Sequence, residues 1–467
     1  MGAAAGAVGA CSSRAAEPAV AEEAGAEDKA VEVALNPAET EVDLGGVSVR
    51  TWTYTGTVPA KEIRIRKGQL LRAPVTNNLP QETTVHWHGL AVPNAMDGVA
   101  VLTQPAIAPG GSFTYEFVVP DTGTYYLHSH VGTQLDRGLY GPLIVEDPNE
   151  RVDYDDELVV VLDDWIDGTG KNPDQVLEEL KTGGMKPMGD SPGVSPTTPL
   201  GFDGGDVTYP YYLINGRVTT DPQVKDYRAG QRVRLRIINA GGDTAFRVAV
   251  PDNELNVTHT DGFPVVPQRT NSVILGMGER VDAIITVGSS VPVIAAPEGK
   301  DGYAQLNLRV DGAPAAVNID EFVKTVRSTP VLNTAQLVPA EGFVLPQRDP
   351  DTTLDLRIAG PVNGYTWPIN GKLYDPPNNG LGLTAGKRVR IRFISESMMF
   401  HPMHLHGHTF QVVKPNGPGA RKDTVLVPPL ETVAVDFDTD NPGRWIVHCH
   451  NDYHLDSGMA TFVYYTA

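Results

Sequence analysis

The chain repeats one strand sequence three times, and this repetition constrains the fold more than any other feature. The copies begin at Gly68, Gly230 and Gly386 and read GQLLRAPV, GQRVRLRI and GKRVRIRF. A second motif precedes each copy and reads TYTG, LING and PING in turn. Because about 160 residues separate successive copies, the sequence predicts three homologous domains.

Short apolar and β-branched runs, bounded by turn-forming residues, occur throughout the three copies. The 467 residues include 48 glycines and 38 prolines. Such runs are typical of β-sandwiches. We therefore predict an all-β chain with a truncated leader and flexible tether over 1–40. The predicted domains follow over 41–150, 151–325 and 326–467, with a short helix near 174–181 in the second.

The composition and the first residues restrict where the protein works and what it binds. The net charge of −20 repels nucleic-acid phosphates, so no nucleic-acid partner is expected. No run of about 18 apolar residues occurs, so no transmembrane helix is expected. The stretch that ends at Cys11 leaves two interpretations open: a lipoprotein leader with a lipid anchor at Cys11, or a disordered Ala-rich tail. The first interpretation predicts a secreted or cell-envelope-anchored protein.

Eight of the 12 histidines form four His-x-His pairs. Residues i and i+2 of a strand face the same side, so both rings of a pair can reach one metal. The pairs occupy repeat-related positions in domains 1 and 3, where we expect them to meet at the domain interface. Eight neutral imidazoles at one interface favour a metal cluster over core packing. The pairs are His86/His88, His128/His130, His404/His406 and His448/His450.

Cys449 lies between His448 and His450, and strand alternation turns its sulfur away from the imidazoles. Three further residues can close around that sulfur: His401, His454 and Met459. Thiolate, two imidazoles and a weak thioether form the ligand set of a blue-copper site. The alternative is an inert buried cysteine. Because the two centres share a strand, an electron accepted at the sulfur site has a short route to the cluster. Such a cluster can deliver several electrons to dioxygen.

These motifs resemble those of the multicopper oxidases in their three-domain, laccase-like form. The shared patterns are HWHG from His86, HSH from His128, HPxHLHG from His401 and HCHxxxHxxxxM from His448. The resemblance implies three cupredoxin-like Greek-key β-sandwich domains. It also implies four copper ions, namely one type 1, one type 2 and two type 3, with O2 as the co-substrate.

The resemblance also assigns roles to individual residues. The type 1 copper would be held by His401, Cys449 and His454, with Met459 axial. The type 2 copper would take His86 and His404; one type 3 copper would take His88, His128 and His450, and the other His130, His406 and His448. Asp97 matches an acid that the family places beside the cluster. Asp452 is a second candidate proton donor, because Leu455 stands where many bacterial members carry an acid.

The substrate is the least determined feature of the sequence. An axial Met459 indicates a low- to medium-potential oxidase of electron-rich phenols, aromatic amines or mediators. Two alternatives stay open: a metallo-oxidase of Cu(I), Fe(II) or Mn(II), and a copper-binding protein without enzymatic activity. The Pro/Gly-rich loop over 183–210 is a candidate border of the substrate pocket. One chain supplies both halves of the cluster interface, so a monomer is expected.

Overall fold

The computed structural model describes residues 1–2, 30–150, 152–183, 194–201 and 204–466, which are built mainly from strands. Within these ranges, no helix is long and apolar enough to cross a membrane. The predicted lipid anchor at Cys11 lies outside the described residues and stays a prediction.

Domain 1 contains a three-stranded sheet in the order β1-β5-β7, a four-stranded sheet in the order β4-β9-β8-β6, and the pair β2-β3. Short 3-10 helices cover Asn94–Met96 and Leu135–Arg137. The strands are β1 (Val31–Glu32), β2 (Ala38–Asp43), β3 (Ser48–Thr53), β4 (Ile63–Arg66), β5 (Leu70–Thr76), β6 (His86–His88), β7 (Ser112–Val118), β8 (Gly123–His128) and β9 (Tyr140–Glu146).

Domain 2 is built from two six-stranded sheets, in the orders β11-β10-β13-β18-β15-β16 and β12-β20-β19-β14-β17-β21. The helix predicted near 174–181 is present as α1. The elements are β10 (Asp156–Trp165), α1 (Pro173–Gly183), β11 (Tyr211–Ile214), β12 (Val224–Tyr227), β13 (Gln231–Asn239), β14 (Phe246–Ala249), β15 (Leu255–Thr260), β16 (Phe263–Thr270), β17 (Val273–Leu275), β18 (Arg280–Val287), β19 (Val291–Pro297), β20 (Ala304–Val310), α2 (Ile319–Ser328) and β21 (Leu332–Asn333).

Domain 3 is built from two five-stranded sheets, in the orders β22-β24-β29-β26-β27 and β23-β31-β30-β25-β28. A 3-10 helix over Thr334–Gln336 precedes it. The elements are β22 (Thr352–Ile358), β23 (Leu381–Thr384), β24 (Arg388–Ser395), β25 (His401–Leu405), β26 (Phe410–Lys414), β27 (Gly417–Lys422), β28 (Thr424–Val427), β29 (Thr432–Asp438), β30 (Arg444–Cys449), α3 (Asp452–Asp456) and β31 (Ala460–Thr466).

The three repeated sequences form β5, β13 and β24, each inside a sheet of its own domain. Alternate residues of β5 and β24 are buried, as the period of a strand requires, whereas β13 is buried on both faces from Val233 to Asn239. In β24, for example, Val389, Ile391 and Phe393 are buried and join one core with residues from the facing sheet, such as Leu405 and Val447. The prediction of an all-β chain of sandwich domains is confirmed.

Two details of the predicted organisation differ from the structure. The predicted tether includes β1, which pairs in parallel with β5, and Leu35, which is buried in the domain 1 core. The apolar residues Val31, Val33 and Leu35 alternate as in a strand, a signal that the Ala/Glu-rich composition obscured. The boundary predicted at residue 325 falls inside α2, and β21 still pairs with β17 of domain 2.

The packing of Leu35 generates a stability prediction. Replacing a fully buried leucine by alanine costs about 2–5 kcal/mol, so Leu35→Ala should lower the unfolding temperature of domain 1. Differential scanning calorimetry measures this shift. Val118→Ala is the control, because Val118 is exposed. Equal unfolding temperatures for the two variants would show that this segment does not contribute to the core.

Candidate metal centre

Two pairs of antiparallel strands carry the His-x-His motifs, one pair in domain 1 and one in domain 3. In domain 1, β6 pairs with β8, and His86 lies opposite His128. In domain 3, β25 pairs with β30, and His404 lies opposite His448. The same register in both domains is what the sequence repeat predicts. The pair His86/His88 lies within β6, whereas His130, His406 and His450 follow the ends of β8, β25 and β30. Rings of the two domains stack on each other, with centroids 3.8 Å apart for His86 and His406 and 3.9 Å apart for His88 and His404.

The eight imidazoles meet at the interface of domains 1 and 3. Ring nitrogens of His86, His88 and His128 lie within 4.8 Å of one another, as do those of His130, His406 and His448. His404 connects the two sets, since it forms a third such group with His86 and His406. Seven of the eight residues are buried, and His130 is partly exposed. The structure therefore brings together all eight histidines predicted from the sequence.

Main-chain carbonyl groups fix the orientation of half of these rings. A carbonyl oxygen only accepts hydrogen bonds, so the Nδ1 atom facing it carries the proton and Nε2 is left as the ligand atom. The Nε2 atoms of His86, His128 and His404 are buried and have no hydrogen-bond partner among the described residues. The four contacts, each 2.8 Å, are His86 to Asp97, His128 to Ser129, His404 to Asp423 and His448 to Cys449.

His88 has the opposite orientation. Its Nε2 atom lies 3.1 Å from Oδ1 of Asp423 and 3.2 Å from the hydroxyl oxygen of Thr424. Its Nδ1 atom lies 3.2 Å from Nε2 of His450, inside the group of converging nitrogens. His88 therefore presents Nδ1 to the cluster, where the other rings of known orientation present Nε2.

The cluster favours neutral imidazoles, the form that binds metals. Burial lowers the pKa of His404 and His406 well below the usual value, and the neighbouring histidines lower it further. For His448, burial lowers the pKa to about 3. A group of converging, unprotonated ring nitrogens is a donor set that suits a transition metal such as copper.

The sulfur site lies on the other side of β30. Sγ of Cys449 is 3.6 Å from Nδ1 of His401 and 3.6 Å from Nδ1 of His454, and all three residues are buried. The N–H of Cys449 donates to the carbonyl of Met459, which is also buried. The structure thus places the four predicted sulfur-site residues close together in the chain's interior, with Cys449 and Met459 part of the apolar core.

A carboxylate that sequence analysis did not identify completes the surroundings of the sulfur site. Oδ2 of Asp206, from domain 2, lies 2.9 Å from Nε2 of His454. Burial alone would lower the pKa of His454, but Asp206 and the Cys449 sulfur outweigh it and raise the pKa to about 10. The same two groups favour a metal cation between the sulfur and the imidazoles.

Asp97 contacts two of the cluster histidines. Its carboxylate oxygens lie 3.0 and 3.1 Å from Nδ1 of His406, and one of them lies 3.3 Å from Nδ1 of His86. The side chain is fully buried, and burial raises its pKa. Asp97 is therefore placed to orient cluster ligands and to hold a proton beside them.

Asp452 does not touch a histidine, but it lines a cavity that opens onto the cluster. The cavity measures about 220 Å³, and its walls include His128, His130, His448 and His450. Oδ2 of Asp452 has no hydrogen-bond partner among the described residues, and burial raises its pKa well above the usual value. A buried acid kept neutral beside such a cavity can donate a proton into it.

Sequence reasoning missed Asp206, Asp423 and Arg280, whose guanidinium group pairs with Asp423. They are single acidic or basic residues among 57 acidic and 37 basic ones, outside the histidine motifs. Only the location of Asp206, inside the loop 183–210 that was expected to border the substrate pocket, carried a signal.

Comparisons with known proteins agree with this geometry. Family models described as multicopper oxidase match residues 37–150, 156–293 and 347–466. The multicopper oxidase MmcO of Mycobacterium tuberculosis is 43% identical over 93% of this chain and 86% of its own length. The chain belongs to the multicopper oxidase family. Membership of this family implies copper cofactors and the use of O2.

More distant relatives of this multicopper oxidase differ in what they do. A copper resistance protein A homolog of Pseudomonas syringae is 26% identical over 91% of this chain and 90% of its own length. The crystal structure of a laccase from Botrytis aclada superimposes with a TM-score of 0.75 at 25% identity, covering 93% of this chain and 87% of the laccase. The donor that this oxidase uses therefore has to be argued from its own site.

The raised pKa of Asp452 predicts a pH-dependent stability. The neutral acid contributes its full stability below the unfolded-state pKa of about 3.9, and this contribution is lost as the pH rises toward the folded-state pKa. Asparagine does not ionise, so Asp452→Asn does not lose this contribution. The unfolding temperature of the copper-free variant relative to wild type should therefore increase as the pH rises above about 4.

Calorimetry at a series of pH values measures this difference. Asp301→Asn is the control, because that carboxyl group is exposed. A difference between Asp452→Asn and wild type that does not change with pH would mean that Asp452 ionises normally in the folded protein.

Proposed function

We propose that this multicopper oxidase is laccase-like. It couples the one-electron oxidation of phenols and aromatic amines at the sulfur site to the four-electron reduction of O2 to water at the imidazole cluster. The observation that carries the proposal is the arrangement at the end of β30, where Cys449 lies at the sulfur site while His448 and the next residue, His450, lie in the imidazole cluster.

The geometry supports an assignment of ligands to four copper ions. When bound, these ions supply the redox chemistry, accepting electrons at the sulfur site and passing them to O2 at the cluster. We propose that His401, Cys449, His454 and Met459 would hold the type 1 copper, and that His86 and His404 would hold the type 2 copper. His88, His128 and His450 would hold one type 3 copper, and His130, His406 and His448 would hold the other.

Asp206 supports a phenol or aromatic amine as the electron donor. Such a donor releases a proton when it is oxidised, and a carboxylate beside the receiving imidazole can accept it. Oδ2 of Asp206 accepts a hydrogen bond from the Tyr365 hydroxyl group, which holds the carboxylate against His454. The net charge of −20 further favours neutral or cationic donors over anionic ones.

Asp97 and Asp452 supply protons on the oxygen side. The reduction of O2 to water consumes protons, and both acids have raised pKa values beside the cluster or its cavity. We propose Asp452 as the donor at the cavity wall and Asp97 as the acid that holds a proton at His406.

A metal ion such as Cu(I), Fe(II) or Mn(II) is the second candidate donor. His454 is fully buried and the Asp206 side chain is only 2% exposed, so an aromatic ring reaches either residue only after neighbouring side chains rearrange. A small cation could reach the Asp206 carboxylate with less rearrangement. A copper-binding protein without activity is the third alternative, and the complete set of ligand-type residues opposes it.

The expected assembly state and cellular location rest on sequence features. We propose a monomer, because domains 1 and 3 of one chain supply both halves of the cluster. Export to the cell envelope and lipidation of Cys11 stay predictions.

Parallel turnover assays decide between the donors. Copper-loaded protein is supplied with a phenol, an aromatic amine, Fe(II), Cu(I) or Mn(II), and O2 consumption is followed in each case. Turnover of the phenol and the amine supports the laccase-like function, whereas turnover of metal ions alone overturns it. A protein loaded with copper at every site that oxidises none of these donors would support the non-enzymatic alternative.

Replacing the sulfur tests the ligand assignment. Cys449→Ser should abolish the blue absorption and stop turnover, because a hydroxyl group cannot replace the thiolate that binds the type 1 copper. Absorption spectroscopy and copper analysis follow the loss of one copper. Ser457→Ala, in the turn after α3, is a control for disturbance of the buried surroundings. Full colour and rate in Cys449→Ser would show that the assignment is wrong.

Replacing the axial thioether tests the redox tuning. Met459→Leu should keep the blue colour and raise the type 1 reduction potential, because a weak electron-donating ligand is removed. A redox titration measures the change, and about 59 mV corresponds to a tenfold change in the one-electron equilibrium constant. A lowered potential, or the loss of colour, would contradict an axial role for Met459.

A further inference from the structure

Domain 2 contributes no histidine to the cluster, yet it places a fully buried arginine beside it. Arg280 stands at the start of β18, and its guanidinium group spans all three domains. Its Nε donates to the carbonyl oxygen of Thr124 in domain 1, at 3.1 Å. Its two terminal nitrogens donate to Asp423 of domain 3, at 2.7 and 2.6 Å. Buried charges are costly unless paired in this way, so the site requires an explanation.

The Arg280–Asp423 pair is connected directly to a cluster ligand. Oδ1 of Asp423 accepts from Nη1 of Arg280 and also lies 3.1 Å from Nε2 of His88. A carboxylate without a proton can only accept a hydrogen bond, so Nε2 of His88 carries the proton. The lone pair of His88 is then on Nδ1, which faces the cluster.

The backbone next to His88 lies so close to the ion pair that residue 89 has no space for a side chain. A Cβ atom on Gly89 would lie within 3.0 Å of both the Arg280 guanidinium group and the Asp423 carboxylate, and Gly89 has a φ of +87°. The glycine of the HWHG motif therefore allows the ion pair to pack directly against the strand that carries His88.

A second layer of buried charges in domain 2 holds the segment that contains Asp423. Oδ2 of Asp261 accepts from the main-chain N–H groups of Asp423 and Thr424, each at 3.3 Å. Asp261 and Glu279 each lie 3.0 Å from the ammonium group of Lys422. Three consecutive residues of domain 3 are thus fixed by domain 2, and two of them contact cluster histidines.

We propose that Arg280 is a positioning residue of the copper cluster: through Asp423 it fixes His88 in the tautomer that presents Nδ1 to a type 3 copper. The inference rests on the proposed function, which assigns His88 to that copper. The planar guanidinium group donates to both oxygens of Asp423 and so fixes the plane of the carboxylate. Oδ1 can therefore accept a hydrogen bond from His88 in one orientation only. A lysine at this position would supply the positive charge but not the bidentate hydrogen bond.

The competing interpretation is that the ion pair only stabilises the fold. The two interpretations predict different losses of copper from the two metal sites. A structural pair stabilises the fold, so its removal weakens both metal sites together. A positioning residue acts on His88, so its removal weakens the cluster and spares the sulfur site. The sulfur site is an internal reference, since it lies on the opposite side of β30.

The experiment compares Arg280→Met, Arg280→Lys and wild type after full copper loading. Electron paramagnetic resonance and absorption spectra report each site while a chelator removes copper. Loss of an outer hydrogen-bond partner of a metal ligand lowers metal affinity about 10- to 100-fold. Asp423 is that partner of His88 and Arg280 holds it in place, so Arg280→Met should lose cluster copper at a chelator concentration lower by up to that factor. The blue signal should be retained as in wild type, and Arg280→Lys should be intermediate.

Arg247→Met is the matched control, because Arg247 is also buried and paired with a carboxylate, Glu298, but does not contact the cluster. Cluster retention equal to wild type in Arg280→Met, or an equal loss from both sites, would overturn the inference. If Arg280→Met does not fold, the same comparison is made with Arg280→Lys. Wild-type protein that holds no cluster copper would instead contradict the proposed function.

Discussion

The alternation of side chains along one strand is the constraint on which the rest of this structure depends. At the end of β30, Cys449 faces the domain 3 core, while His448 and His450 on either side of it lie against histidines of domain 1. A single peptide segment therefore supplies ligand-type groups to two separate centres. A helix would scatter three consecutive side chains around its axis, so the coupling of the two sites is a property of the extended backbone.

The sandwich architecture turns this local constraint into a cluster. Domains 1 and 3 present equivalent strand pairs, in which His86 opposes His128 and His404 opposes His448. Neither domain alone has enough imidazoles for three metal ions, so the cluster exists only where the domains meet. Domain 2 stabilises that interface through buried charged groups. Among them, Arg280 donates hydrogen bonds to both domain 1 and domain 3.

The fold class and the eight clustered histidines could be predicted from the sequence because both repeat. The strand sequence that begins at Gly230 has counterparts in the other two domains. In the His-x-His pairs the two rings are two residues apart, a spacing that places them on the same side of an extended backbone. Asp206, Asp423 and Arg280 could not be found in this way, because their roles depend on contacts between domains that no local pattern records. The strand at Val31 was missed for a different reason: two residues of parallel pairing give too short a period to stand out against an Ala/Glu-rich segment.

An absorption and electron paramagnetic resonance spectrum of the copper-loaded protein tests the central claim most directly. Two centres joined by Cys449 predict an intense blue absorption with one type 1 signal, one ordinary type 2 signal, and a remaining pair of coppers that is silent because the two ions are coupled. A spectrum with only ordinary copper signals and no blue absorption would contradict the claim, since it would show that the sulfur of Cys449 binds no copper.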